Sequence, residues 1–149
     1  MLRATLIGVL ALAGVTGCSR SVGSRAPDLR ASQPYLATRM CAFHVDTRTQ
    51  EAQLRVELTV IRPLPPGSLI EMRFENPAAP NAPLTATRVA TGTEKILHMV
   101  SPPMPDIRMR SYETVAQVYS GPDRKQTLGT HVQTCQSPFD QRDLGPQFR

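Results

Sequence analysis

The sequence predicts an antiparallel β-sandwich of six or seven strands, and three observations lead there. Apolar residues recur at every second position in short runs about 8–15 residues apart. No stretch shows a 3.6-residue period with caps at its ends. Pro is frequent, at 14 against 9 Gly, and the 149 residues include no Trp. That balance suits short strands joined by stiff turns.

The chain opens differently. Met1-Leu2-Arg3 is a minimal positive start, Ala4 to Gly14 is apolar and uncharged, and Val15-Thr16-Gly17-Cys18 closes the run. Such a run is too short for the roughly 30 Å of a bilayer core, and it has the length of a secretory signal. Val-Thr-Gly-Cys in this position resembles the lipobox of bacterial lipoproteins, with Val where Leu is commonest. The resemblance covers residues 1–18 only. It implies that residues 1–17 are removed and that Cys18 becomes the N-terminus, carrying covalent diacylglycerol and an N-acyl chain as its only attached group. Two or more acyl chains hold a protein on a bilayer stably. Ser19 follows the cysteine. In Gram-negative lipoproteins an Asp there usually retains the protein at the inner membrane. The expected address is therefore the outer membrane, facing the periplasm.

Residues 18–36 read as a lipidated flexible tether, small, polar and basic. Arg20, Arg25 and Arg30 give it a weak attraction to anionic headgroups. The domain is expected over residues 37–136. Met40 to Val45 puts Cys41, Phe43 and Val45 on one face, and Leu54, Val56, Leu58 and Val60 then alternate with Arg55, Glu57 and Thr59. Pro63 to Gly67 stops that strand and turns the chain, because Pro donates no ladder hydrogen bond and Gly accepts positive φ. Ile70, Met72 and Phe74 alternate next, and the expectation is that these two strands pair antiparallel. Asn76 to Pro83 is a proline-spaced loop and Leu84 to Val89 a weak strand. Ile96 to Val100 is apolar on both faces, as in a central strand. Ser101 to Pro105 breaks the pattern again. Tyr112, Ala116 and Val118 mark a sixth strand, and Gly121-Pro122-Asp123 turns it into a seventh with Leu128 and Val132 on one face. Residues 137–149 are expected to be a disordered tail. Tyr112 at the opening of the sixth strand resembles the tyrosine corner of immunoglobulin-like folds, which implies a sandwich of that general architecture.

With Cys18 assigned to lipid, Cys41 and Cys135 form an even pair in an oxidising compartment and are expected to be disulfide-bonded. Simple alternation puts Cys135 with His131 and Gln133 on the polar side, so the last strand should bulge or end before it if both sulfurs point inward.

The formal charge is +5; removing residues 1–17 takes away Arg3 alone and leaves 16 Lys/Arg against 12 Asp/Glu, net +4. Many of these charges alternate in sign along strand faces. That is a solvated mixed surface, not the basic stripe of a nucleic-acid binder, and no nucleic-acid partner is expected. The chain holds no G-x-S-x-G, H-E-x-x-H, S-x-x-K or glycine-rich phosphate loop. His44 and Asp46 fall on one strand face and could form an imidazole–carboxylate pair. His98, Met99, Met104 and Met109, with Met40, Met72 and His131 elsewhere, are soft donors of the kind that suits Cu(I). Met is also a common filler of cores. The leading expectation is thus a non-enzymatic envelope lipoprotein. It would meet the bilayer through Cys18 and a protein or cell-wall partner through proline-stiffened loops, 76–83 and 101–105 above all. The alternatives are a periplasmic copper carrier and an enzyme of unrecognised type.

Overall fold

A computed structural model describes residues 34–144, apart from Thr47 and Gln50. The signal, Cys18, the tether as far as Gln33, and residues 145–149 lie outside the described residues.

Seven strands follow in order: β1 Leu36–Val45, β2 Ala52–Val60, β3 Leu69–Phe74, β4 Leu84–Val89, β5 Ile96–Val100, β6 Ser111–Tyr119 and β7 Thr127–Gln136. They form two antiparallel sheets, β1-β2-β5 and β4-β3-β6-β7, which is the predicted sandwich. In a constant-type immunoglobulin domain the fourth strand joins the sheet of the first, second and fifth. Here β4 instead pairs with β3, in register from Leu69↔Val89 to Phe74↔Leu84. Tyr112 takes the corner position its sequence suggested. Its hydroxyl accepts from Arg108 N at 2.7 Å and donates to Arg108 O at 3.2 Å.

The inward faces are those the alternation marks. Leu54, Val56 and Leu58 from β2, with Leu97 of β5, meet Ile70, Met72 and Phe74 of β3 and Tyr112, Ala116 and Val118 of β6, all of them buried. Burying each large apolar side chain is worth roughly 1.5–3 kcal/mol, and this shared core is what holds the two sheets face to face.

Four expectations need correction. First, β2 and β3 are not partners; they lie in different sheets. Residues 61–68 are too long for a tight hairpin, and their three prolines cannot supply ladder donors. The segment instead crosses the end of the sandwich with Leu64 buried in the core. Gly67, at φ 84°, donates to Ala90 O, and Ala90 N donates to Ser68 O. Second, β5 is an edge strand paired with β2 alone. Its Leu97 and Met99 are buried, while His98 and Val100 face solvent. A five-residue apolar run does not by itself reveal how many of its faces are covered.

Third, His131 and Gln133 are not on the polar side of β7: the bulge expected before Cys135 is present, but it lies early in the strand, where the register with β6 skips Leu128, and β7 then runs unbroken past Cys135. Gly129, His131, Gln133 and Cys135 are its inward side, and Val132 is exposed. The polar pair tolerates this because Thr38 of β1 reaches across. The Thr38 hydroxyl lies 2.8 Å from His131 Nε2 and donates to Gln133 Oε1. β1 and β7 are edges of opposite sheets, and Cys41–Cys135 joins them with Cα atoms 5.8 Å apart. Fourth, residues 137–144 are folded onto the body. Ser137 N donates to Arg110 O and Gln141 N to Ile107 O. Phe139 stands edge-on to Phe43 at 6.2 Å, so the domain extends beyond residue 136. A 3-10 turn at Gln141–Asp143, capped by Asp140, follows.

The β4–β5 loop sets one acid-sensitive contact. Glu94 accepts from Thr91 N at 2.7 Å, Gly92 N at 2.9 Å and the Thr91 hydroxyl at 2.9 Å. The Thr91 backbone donor foremost pulls its pKa from 4.5 to about 2. A depressed carboxylate pKa stabilises the fold above the unfolded value, and that stability is lost as pH falls through the folded one. Glu94→Gln should therefore flatten the fall in melting temperature between pH 4.5 and about 2. Thermal melts of both proteins by circular dichroism across that window check this.

Candidate binding surface

The four-stranded sheet turns a polar face outward. With Ile70, Met72 and Phe74 pointing in, β3 presents Glu71 and Arg73 outward, and Glu75 follows directly. β6 likewise presents Glu113, Val115 and Gln117. Register sets Arg73 opposite Val115 and Glu71 opposite Gln117. Residues from the two strands therefore meet on one patch although about 40 positions separate them in the chain.

The loop from Asn76 to Pro83 walls this patch on one side. Its shape is held from within. Asn76 Oδ1 accepts from Ala78 N at 3.1 Å, and Asn76 Nδ2 donates to Ala82 O at 3.0 Å. Ala82 N donates to Ala79 O at 2.8 Å. Between loop and sheet lies an open groove of about 500 Å³, lined by Arg73, Glu75, Pro80, Pro83, Glu113 and Val115, with Phe74 beneath. A loop already held in one conformation loses little entropy when a ligand settles against it.

The groove's charges are unequally committed. Glu75 accepts from Arg110 at 2.6 Å and from Glu113 N at 3.1 Å. The Arg110 guanidinium holds its pKa below the usual range and is itself raised in return. Arg73 donates to Gln117 Oε1, which also accepts from the Tyr119 hydroxyl at 2.7 Å. Its Nε is buried without a hydrogen-bond partner and sits 3.8 Å from Glu71. The Glu113 carboxylate makes no ion pair among the described residues. The groove thus offers one uncommitted anion, one partly committed guanidinium and an apolar floor at Val115. Exposed Val132 stands opposite Val115 in the next strand.

The other candidate residues fall elsewhere. Asp46 is spent on the β1–β2 turn, accepting from Arg48 N and Thr49 N at 2.8 and 3.1 Å. Those donors lower its pKa, and no hydrogen bond joins it to His44 among the described residues. The four soft donors do not converge. Met99 and Met104 are buried in the core, Met109 is exposed, and His98 points outward. His98 Nδ1 lies 3.3 Å from Glu57, in a shallow depression that it shares with Met40 on the three-stranded sheet. The 101–105 loop serves the fold. Ser101 Oγ accepts from Leu54 N at 2.9 Å, and Met104 N donates to Ala52 O at 2.8 Å.

Of the two loops singled out in the sequence, then, 76–83 alone borders the groove. Arg73, Glu113 and Val115 carried no signal of their own, because only the β3–β6 register assembles them. A mixed-charge groove on the outer face of an antiparallel sandwich defines a class of binding surface and no more. The chain matches no protein-family model and no curated protein.

Proposed function

We propose that this chain is the precursor of a lipid-anchored envelope lipoprotein whose sandwich is a non-enzymatic binding module. An outer-membrane anchor at Cys18, facing the periplasm, is part of this reading. The partner is a protein or cell-wall peptide that lays an extended segment into the groove and brings a basic group to Glu113. The observation that carries the reading is the groove itself, with a rigid proline-bearing wall, an apolar floor and an uncommitted carboxylate. Its position supports it too. The chain enters the domain at Tyr35, while the groove opens near the Phe74 end of β3, at the opposite end of the sandwich. An anchored domain would therefore present the groove away from its membrane.

Site-specific photocrosslinking in intact cells tests this. A photoreactive residue at Val115 should give a discrete adduct that Glu113→Lys abolishes, while the same probe at Arg55, on the other sheet, gives none. No adduct above background at Val115, or one indifferent to Glu113→Lys, would count against the groove as the binding site.

A further inference from the structure

We infer that the end of the sandwich where the chain enters is a docking surface for an anionic lipid bilayer. The inference rests on the anchor proposed at Cys18 and adds a contact made by the folded domain itself.

Strand register defines that end. Leu36 opposite Val60, and Thr59 opposite Ile96, bring together the start of β1, the end of β2 and the start of β5. Leu69 opposite both Val89 and Tyr119 does the same in the second sheet. Tyr35 links the two. Its carbonyl accepts from Ile61 N at 2.9 Å, and its ring packs so close to Gly129 that a Cβ there would sit 3.0 Å from Tyr35 Cδ2. The end therefore consists of Tyr35 with residues 60–68, 88–95 and 119–127.

These segments carry five cations against two carboxylates, Glu94 and Asp123. Arg124 is paired with Glu71 and Lys125 with Asp123. Arg62, Arg88 and Lys95 make no ion pair among the described residues, and Arg62 lies over the Tyr35 ring at 4.7 Å. Glu94 is turned onto the backbone of its own loop. The opposite end, residues 46–51, 75–83, 101–110 and 137–144, holds six carboxylates against four arginines. Charge is thus polarised from one end of the sandwich to the other. Apolar side chains join the cations: Ile61 and Val89 are each about half exposed, and Pro63, Pro65 and Pro66 are exposed beside them.

Unpaired cations among exposed apolar groups suit the headgroup region of an anionic bilayer. The position of the chain outside the structure selects that occupant. At full extension the residues between Cys18 and Pro34 reach only about 55 Å, so an acylated Cys18 keeps this end close to the lipid. A domain resting on that end would hold the groove facing outward.

The test uses the mature chain with Cys18→Ser, which carries no lipid, and vesicles of phosphatidylcholine with or without phosphatidylglycerol at low ionic strength. The parent should sediment with the anionic vesicles alone. Each cation at such a surface is worth about fivefold, so Arg62→Ser, Arg88→Ser and Lys95→Ser together should weaken partitioning about a hundredfold. Arg48→Ser, Arg55→Ser and Arg142→Ser make the same change in net charge elsewhere and should leave it nearly intact. Arg20, Arg25 and Arg30 are present in every variant, so the difference reads the folded end. Equal binding by the two triple variants, or equal binding of the parent to neutral vesicles, would overturn the inference. Failure of the anchor reading would show separately, as a Cys18 that takes no lipid in cells.

Discussion

Replacing Cys41 and Cys135 together by Ala should lower the stability of the domain by about 4–5 kcal/mol on the chain-entropy account of a bridge this long. The two residues are 94 positions apart, so the bond closes nearly the whole domain into a loop and removes a large share of the unfolded chain's freedom. Its position in the native state adds to the effect. β1 and β7 are edges of opposite sheets and share no ladder. Without the bridge, their seam rests on the Thr38 hydroxyl with His131 and Gln133 and on Phe43 packing against Tyr112 and Phe139. Small domains have about 5–15 kcal/mol of net stability, so the double variant should be marginal, and the reduced protein with it. Urea unfolding of the oxidised parent, the reduced parent and the double variant measures this. A loss of under about 1 kcal/mol would mean that the seam holds without the sulfurs.

How much of this was legible beforehand depends on the range of the interaction involved. Strand positions depend on alternation, a local property. Leu54 to Val60, Ile70 to Phe74 and Leu84 to Val89 lie where their patterns put them. Alternation names the face a residue uses and says nothing about which strand lies alongside. β2 and β3 therefore looked like a hairpin, though Pro63 to Gly67 carries the chain from one sheet to the other. His131 and Gln133 read as an outer face because the hydroxyl that satisfies them belongs to Thr38, more than 90 positions earlier. The tail looked unstructured for a similar reason, since Phe139 finds Phe43 and Gln141 finds Ile107 only in the folded chain. The groove was half visible. Its wall at Asn76 to Pro83 stood out in composition, while its floor and charges needed the pairing of β3 with β6. The disulfide was the exception, a long-range contact that counting cysteines could reach.

That count began by setting Cys18 aside. The resemblance of Val15-Thr16-Gly17-Cys18 to a lipobox makes Cys18→Ser the substitution with the largest expected consequence in cells. The sandwich should be untouched, because its core and its disulfide are built among the described residues without Cys18. The lipid should be lost outright, since serine offers no thiol for the diacylglycerol, and a bilayer contact through Arg62, Arg88 and Lys95 alone is weak and sensitive to salt. The direct measurement is labelling with a radioactive fatty acid in growing cells, followed by mass spectrometry of the mature N-terminal peptide. The account predicts a chain that starts at Cys18, carries diacylglycerol and an N-acyl group, and loses all label with Cys18→Ser; the lipoprotein signal-peptidase inhibitor globomycin should instead leave a longer precursor that keeps the diacylglycerol and lacks the N-acyl chain. A mature chain starting elsewhere, or label that persists in the Cys18→Ser protein, would contradict it.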